Sequence, residues 1–365
     1  MKVAIIGAGI SGLSSAIEFK KHGITPVIFE KSHSLGDRPE ILVALLRLFC
    51  NSLNTPMSYI SKKCGIDISP LHPVKKIVMN TQKKTVSIKG NQGYVFKKGI
   101  DAGSLEHQLF GQCNVPVEFD TYVKLEDIKN DFDHIIVATG KNTIVKKMNL
   151  WTTTLAAKIR IATVTGSFEQ NTIEMWLNKR YTKDGYSYII PSNGNEAEIS
   201  LIVTDITMDK LDYYWNEFVT CENLRYNILK STDIEHISGY PSVNHVDNIY
   251  FTGSCGGMMD DFLGFGVMKA IESGVLAARA IIYGKDYDSM LEPFKNEIKA
   301  LYEYRKAMNV IDNDDYDKIL PLIGLPVLKN ILYNNPVYKT KHGIFAPKAV
   351  TFFKKKYYMF SLRQR

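Results

Sequence analysis

The sequence predicts an α/β fold: a Rossmann-type nucleotide-binding domain, interrupted by a β-rich insert and followed by a helical C-terminal region. Three observations predict it. A short apolar strand at residues 2–6 runs directly into Gly7-Ala8-Gly9-Ile10-Ser11-Gly12 and a helix. Four runs of strand-like composition crowd residues 157–203. Beyond residue 286 the periodicity is helical. A chain of 365 residues, 45% hydrophobic and 11% aromatic, has the composition of a globular protein with room for more than one module.

The N-terminal unit is justified piece by piece. Gly7, Gly9 and Gly12 fit G-x-G-x-x-G, with Ile10 and Ser11 between the last two. Gly7 permits the tight turn, Gly9 lets the backbone approach a pyrophosphate, and Gly12 lets helix pack on strand. The helix, expected to begin at Gly12, carries Leu13, Ala16 and Ile17 on one face. It ends in Lys20-Lys21-His22, which suits the negative end of the helix dipole, with Gly23 as its cap. Its N-terminus offers free N–H groups to phosphates. A second strand, Pro26 to Phe29, ends in Glu30, placed to accept from an adenosine ribose. Lys31, Arg38 and Val123 are further candidates beside the cofactor.

Two later segments point to FAD over NAD. Asp133 to Gly140 is an apolar strand ending in Ala138-Thr139-Gly140, and resembles a strand end of flavoproteins with two dinucleotide folds. Ile249 to Thr252 reads as a strand leading to Gly253-Ser254-Cys255-Gly256-Gly257. Gly264-Phe265-Gly266 and a helix from Val267 to Tyr283, capped by Gly284, follow. This resembles the second flavin segment of the p-hydroxybenzoate hydroxylase superfamily, where a helix N-terminus faces the flavin. Ser254 stands where that superfamily usually has aspartate, and Asp260 or Asp261 is the nearby substitute.

Within the insert, Ala157–Phe168, Thr172–Leu177, Tyr186–Ile190 and Glu198–Val203 read as strands, followed by a helix over Met208–Phe218. Gly185-Tyr186-Ser187-Tyr188-Ile189-Ile190-Pro191 resembles the Tyr-x-Trp-x-Phe-Pro segment of the geranylgeranyl reductases, with Tyr188 for the Trp and Ile190 for the Phe. Gly93-Tyr94-Val95-Phe96 and Ser104 to Leu109 resemble another segment of that family. The resemblance spans residues 1–285. It implies an FAD-binding domain in two parts, 1–150 and 245–285, around a substrate domain at 151–244, with 286–365 helical. It also implies reduction of carbon–carbon double bonds in an isoprenoid or other hydrophobic substrate.

Tyr186, Tyr188 and Cys255 are the candidate catalytic residues. The tyrosine alternation also fits one face of an ordinary core strand, and Cys255 also fits a small buried thiol. An FAD-dependent monooxygenase stands as an alternative, and a non-catalytic or electron-transfer flavoprotein as another. The Trp-x-Trp-x-Ile segment of halogenases is missing. With no second glycine fingerprint, the electron donor is a partner protein or NAD(P)H.

Other classes are excluded by composition. The net charge of +7 is spread along the chain, unlike a nucleic-acid-binding arm. Five cysteines without a CxxC pair argue against a disulfide framework or zinc site, so a cytoplasmic protein is expected. No apolar run nears the roughly 18 residues of a spanning helix. A signal peptide is not visible, nor are repeats. The last stretch, AVTFFKKKYYMFSLRQR, reads as a packed terminal segment or as a peripheral contact with an anionic membrane.

Overall fold

The computed structural model describes residues 1–36, 40–47, 55–323 and 325. Arg38, the part of the expected helical region beyond residue 325 and the aromatic, basic C-terminal stretch lie outside the described residues.

Six strands, numbered along the chain, form the first, Rossmann-type sheet. They are β1 (Val3–Ile6), β2 (Val27–Phe29), β6 (Val117–Glu118), β7 (His134–Val137), β13 (His245–Val246) and β14 (Ile249–Phe251). Their spatial order is β13-β14-β7-β1-β2-β6, and every pairing except β13 with β14 is parallel. Layers cover both faces, which is why VAII in β1 and Ile135-Ile136-Val137 in β7 are continuously apolar. Helices α1 (Ile10–Lys21) and α8 (Val267–Tyr283) pack on one face, together with α3 (Leu105–Cys113). The short α5 (Thr143–Lys147) and the Leu125 end of α4 (Leu125–Ile128) close the other.

The second sheet has eight strands: β3 (Ile41–Leu46), β4 (His72–Asn80), β5 (Thr85–Lys98), β8 (Trp151–Thr165), β9 (Thr172–Trp176), β10 (Tyr186–Pro191), β11 (Glu196–Thr204) and β12 (Asn227–Pro241). The order is β12-β8-β11-β10-β9-β4-β5-β3, antiparallel except where β4 meets β9. The sheet curls on itself. Leu42 of β3, at one end of the order, donates from its amide to Glu198 Oε2 of β11 at 2.7 Å, and Lys230 of β12 reaches Glu40 at 3.8 Å. One face carries Ala162, Val164, Trp176, Ile189 and Leu201 against Leu211, Trp215 and Phe218 of α7 (Leu211–Cys221). The opposite face looks toward the nucleotide-binding half.

The expected strands of the insert are present with ends shifted by a few residues. The composition of the insert predicts its strands only within 157–203, whereas β3, β4 and β5, at residues 41–98, and the long β12 belong to the same sheet. The first helix starts at Ile10 because Gly9, in extended conformation, is its N-cap. Helix α8 and its Gly284 cap fall where they were expected. Two further helices, α9 (Tyr287–Val310) and α10 (Asn313–Ile323), lay Leu301, Met308, Ile311 and Ile319 over Phe262. No helix among the described residues is long and apolar enough to cross a membrane.

Candidate active site at the junction of the two sheets

The glycine turn has the sterics of a phosphate cradle. A Cβ on Gly7, at φ +107°, would stand 2.6 Å from the Ala138 carbonyl, and one on Gly12 would stand 2.1 Å from the Gly7 carbonyl. Gly9 differs: the nearest atom to its Cβ position is 4.0 Å away, so nothing in the protein needs that space. The N-terminus of α1 has neither a side-chain cap nor an acidic residue in its first turn. A helix start of this kind is suited to an anion. Glu30 stands at the same turn, accepting from Ala8 N at 2.8 Å and Ser32 N at 2.9 Å. Each carboxylate oxygen keeps a free lone pair for a ribose hydroxyl.

The second flavin-like segment folds over this turn. Gly253, at φ +60°, has a Cβ position 2.5 Å from Ser11 Oγ, and its amide donates to Ser273 Oγ at 3.0 Å. Helix α8 crosses α1 so closely that a Cβ on Gly274 would meet the Ser11 carbonyl at 2.1 Å, while Ser15 Oγ donates to the Gly274 carbonyl. Like α1, α8 starts without a side-chain cap or acid, at Gly266. Ala138 is buried beneath Gly7, whereas Thr139 and Gly140 extend outward from the end of β7. Ile10 and Ser11 are buried, Gly264 is exposed, and Phe265 is half-buried. Ser254 is half-buried in the Gly253 loop. Lys31 is exposed, and Val123 packs partly buried on the cluster that holds Phe29.

Two expectations are corrected. Asp260 does not replace the missing aspartate at 254: it is fully buried and accepts from the amides of Leu263 at 2.7 Å and Phe265 at 2.8 Å, shaping the loop. Asp261 is buried beside Thr154 and Ser238 of the large sheet, and burial raises both carboxyls above the usual range. Cys255 is not presented to the site. It lies fully buried on the α5 side of the sheet, its Sγ donating to the carbonyls of Val137 at 3.0 Å and Thr252 at 3.1 Å. Burial pushes its thiol up to about 11, the environment of an inert structural cysteine.

Tyr186 and Tyr188 meet this region from the large sheet. Their rings stack at 5.9 Å, and Tyr186 Oη donates to the Leu263 carbonyl at 2.5 Å, tying the sheet to the loop before α8. Burial holds both phenols well above their ordinary range, so they are neutral donors. Cross-strand partners share a face. Tyr186, Tyr188 and Ile190 therefore lie with Ile202, Ser200 and Glu198, and next to them Ile159, Ile161 and Thr163. The same register adds His236 and Ser238 of β12, joined by a 2.8 Å hydrogen bond.

Glu198 was not anticipated. It is 4% exposed, accepts from Leu42 N at 2.7 Å and Ser200 Oγ at 3.4 Å, and burial pushes it up to about 8. It is a protonated carboxyl at neutral pH on the tyrosine face. The alternation of Glu196, Glu198 and Ser200 reads in sequence as a solvent face, so only the covering layer reveals it. His107 bonds to Ser104 Oγ, and His245 stacks on Tyr250. No cluster of metal-binding side chains exists among the described residues.

The two sheets together form a mixed α/β fold with a Rossmann-type half and a curled second sheet, which matches the fold of FAD-binding oxidoreductases. Residues 5–38 match the NAD(P)-binding Rossmann-like domain family. Among solved structures, the fold matches a geranylgeranyl bacteriochlorophyll reductase-like protein from Thermoplasma acidophilum at TM-score 0.73 and 15% identity, over 97% of this chain and 98% of that one. A flavoprotein/dehydrogenase from Cytophaga hutchinsonii matches at 0.61 and 17%, over 98% and 99%. The flavin-dependent halogenase CmlS matches at 0.60 and 15%, over 98% of this chain and 70% of that one. No curated protein sequence matches. At such identities the likeness is one of fold.

Proposed function

We propose that the protein is an FAD-dependent oxidoreductase that reduces carbon–carbon double bonds of an isoprenoid or similarly apolar substrate. The carrying observation is the junction itself: an uncapped glycine-turn helix beside a buried face that mixes two tyrosines, a protonated carboxyl and aliphatic side chains. FAD fits the cradle, since Gly7 and Gly12 are consumed by packing while Gly9 leaves space. The residues holding it would be the Gly7–Gly12 turn with Ile10 and Ser11, Glu30 at the ribose, Ala138 to Gly140, the Gly253-Ser254 loop, and Gly264 to Gly266. The cofactor, once reduced, supplies a hydride; the rest falls to the protein.

The protein's part is to exclude water and provide a proton. Tyr186, Tyr188, Ile159 and Ile161 give an apolar face suited to a prenyl chain. Glu198 carries a proton at neutral pH and is the donor to the second carbon of the alkene, with Tyr188 beside it as an alternative donor. Cys255 takes no part. The electron donor is NAD(P)H or a partner protein, and a monooxygenase is the competing reading, since a 2-methyl-3-hydroxypyridine-5-carboxylic acid oxygenase shares the fold at TM-score 0.58 and 14% identity. The test is anaerobic: flavin-loaded protein is reduced with dithionite and mixed with a prenyl compound. Reoxidation by the alkene supports the proposal. Reoxidation only on admitting oxygen, with NADPH oxidation matched to oxygen uptake, supports the monooxygenase.

A further inference from the structure

Helix α9 buries one stripe: Tyr287, Leu291, Phe294, Ile298, Leu301, Arg305 and Met308. The spacing of three and four is that of a single helical face. All are apolar or aromatic except Arg305, which is 3% exposed. A buried arginine ordinarily has a carboxylate partner or lifts its head to solvent. Arg305 has neither. Its Nε and Nη2 lack any hydrogen-bond partner among the described residues. The carboxylates of Asp184, Asp205 and Asp261 act on it only at longer range, and Asp184 already pairs with Lys179.

A second buried group beside it is likewise unsatisfied. Tyr316 of α10, 4% exposed, has no partner for its hydroxyl, and phenol and guanidinium influence each other electrostatically. Phe262, Leu301, Met308 and Ile319 form the apolar packing around them. Phe262 of this cluster, its ring 6.2 Å from that of Tyr304, precedes Leu263, the acceptor of the Tyr186 hydroxyl, and so ties this corner to the active-site junction. Two buried donors, one of them charged, are thus left without an acceptor in one corner of the fold. Leaving them so is costly in a folded protein unless a ligand supplies the acceptor.

The chain shows what the free fork fits. Arg160 uses the same two nitrogens, Nε and Nη2, to hold Asp233 Oδ1 and Oδ2 at 2.7 Å each. Side-on pairing of this kind is selective for a planar carboxylate. We infer that Arg305 and Tyr316 form the polar end of the substrate site and receive the carboxylate of an otherwise apolar acid. A single guanidinium, with Lys179 spent on Asp184, matches a monoanion and not a diphosphate. The inference rests on the proposed hydrophobic substrate and fixes the chemistry of its polar terminus.

The test compares wild type, Arg305→Met and Arg305→Lys as full-length protein. Calorimetry measures binding of farnesoic acid, farnesol and farnesyl diphosphate, and thermal melts are recorded without ligand. Wild type should bind the acid at least tenfold tighter than either other compound. Arg305→Met should lose that preference, while its ligand-free melting midpoint rises by roughly 2–4 °C, since an unpaired buried charge has gone. Arg305→Lys should retain a weakened preference. Flavin absorbance on the same samples reports the cofactor reading separately, because acid binding is measurable whether or not flavin is retained. The inference is overturned if Arg305→Met melts lower than wild type, if the preference survives it, if the diphosphate is preferred, or if wild type binds no acid.

Discussion

The hydroxyl of Tyr186 and the carbonyl of Leu263 meet at 2.5 Å, and this bond joins a strand of the large sheet to the loop that precedes α8. Leu263 precedes the glycines that begin α8, so the large sheet and the expected cofactor helix are held in register through it. Substituting Tyr186→Phe keeps the ring and its stacking on Tyr188 but leaves the carbonyl without its donor. The expected cost is about 1–2 kcal/mol of stability, with an altered visible spectrum of bound flavin. A spectrum and melting curve identical to wild type would show that the contact positions nothing.

The three glycines of the turn should behave differently. Gly12→Ala places a methyl 2.1 Å from the Gly7 carbonyl, so loss of folding or destabilisation by about 1–3 kcal/mol is expected. Gly9→Ala meets only the Ala138 carbonyl oxygen, at an unstrained 4.0 Å, and should change the melting midpoint of flavin-free protein little. Its FAD affinity, measured by fluorescence titration, should fall at least tenfold, because the methyl takes the space left for the diphosphate.

Glu198 makes a pH prediction with a definite sign. Its folded-state affinity for a proton is raised, from an ordinary 4.5 to about 8. Between those values the folded protein holds a proton that the unfolded chain releases. Stability is therefore highest below pH 4.5 as far as this group is concerned, and falls by about 1.4 kcal/mol for each unit up to pH 8. Glu198→Gln removes that fall, so the variant should gain on wild type in denaturant melts between pH 5 and 8. Its turnover should drop by roughly 100-fold or more if the carboxyl delivers the proton.

Cys255→Ala should leave turnover unchanged. The thiol is buried against Val137 and Thr252 and is pushed up to about 11, so it is neither exposed nor a thiolate. A stability loss of about 1 kcal/mol, from a small cavity and two weak hydrogen bonds, is the expected effect in chemical denaturation.

The parts of the fold visible in sequence were those governed by local rules. Gly7 to Gly12, the strand ending at Glu30, and α8 up to Gly284 each carry their turn, cap and periodicity within a short window. What stayed hidden depends on layers meeting across the chain. Strands β3, β4 and β5 join strands more than 70 residues further on through the β4–β9 pairing, Lys76 with Thr172 through Asn80 with Trp176, and no local signal encodes that pairing. Glu198 alternates like a surface residue, and only the curl that brings Leu42 onto it makes it buried. Arg305 was legible in principle, as a cation at a core position of an otherwise apolar helical stripe.

The central claim is that the glycine turn holds FAD, and a binding spectrum tests it most directly. Purified protein incubated with excess FAD and freed of unbound cofactor should retain about one flavin per chain, with resolved absorbance in the visible, and Gly9→Ala should retain far less. Wild-type protein that emerges colourless, or that keeps as much flavin as Gly9→Ala does, would contradict the account.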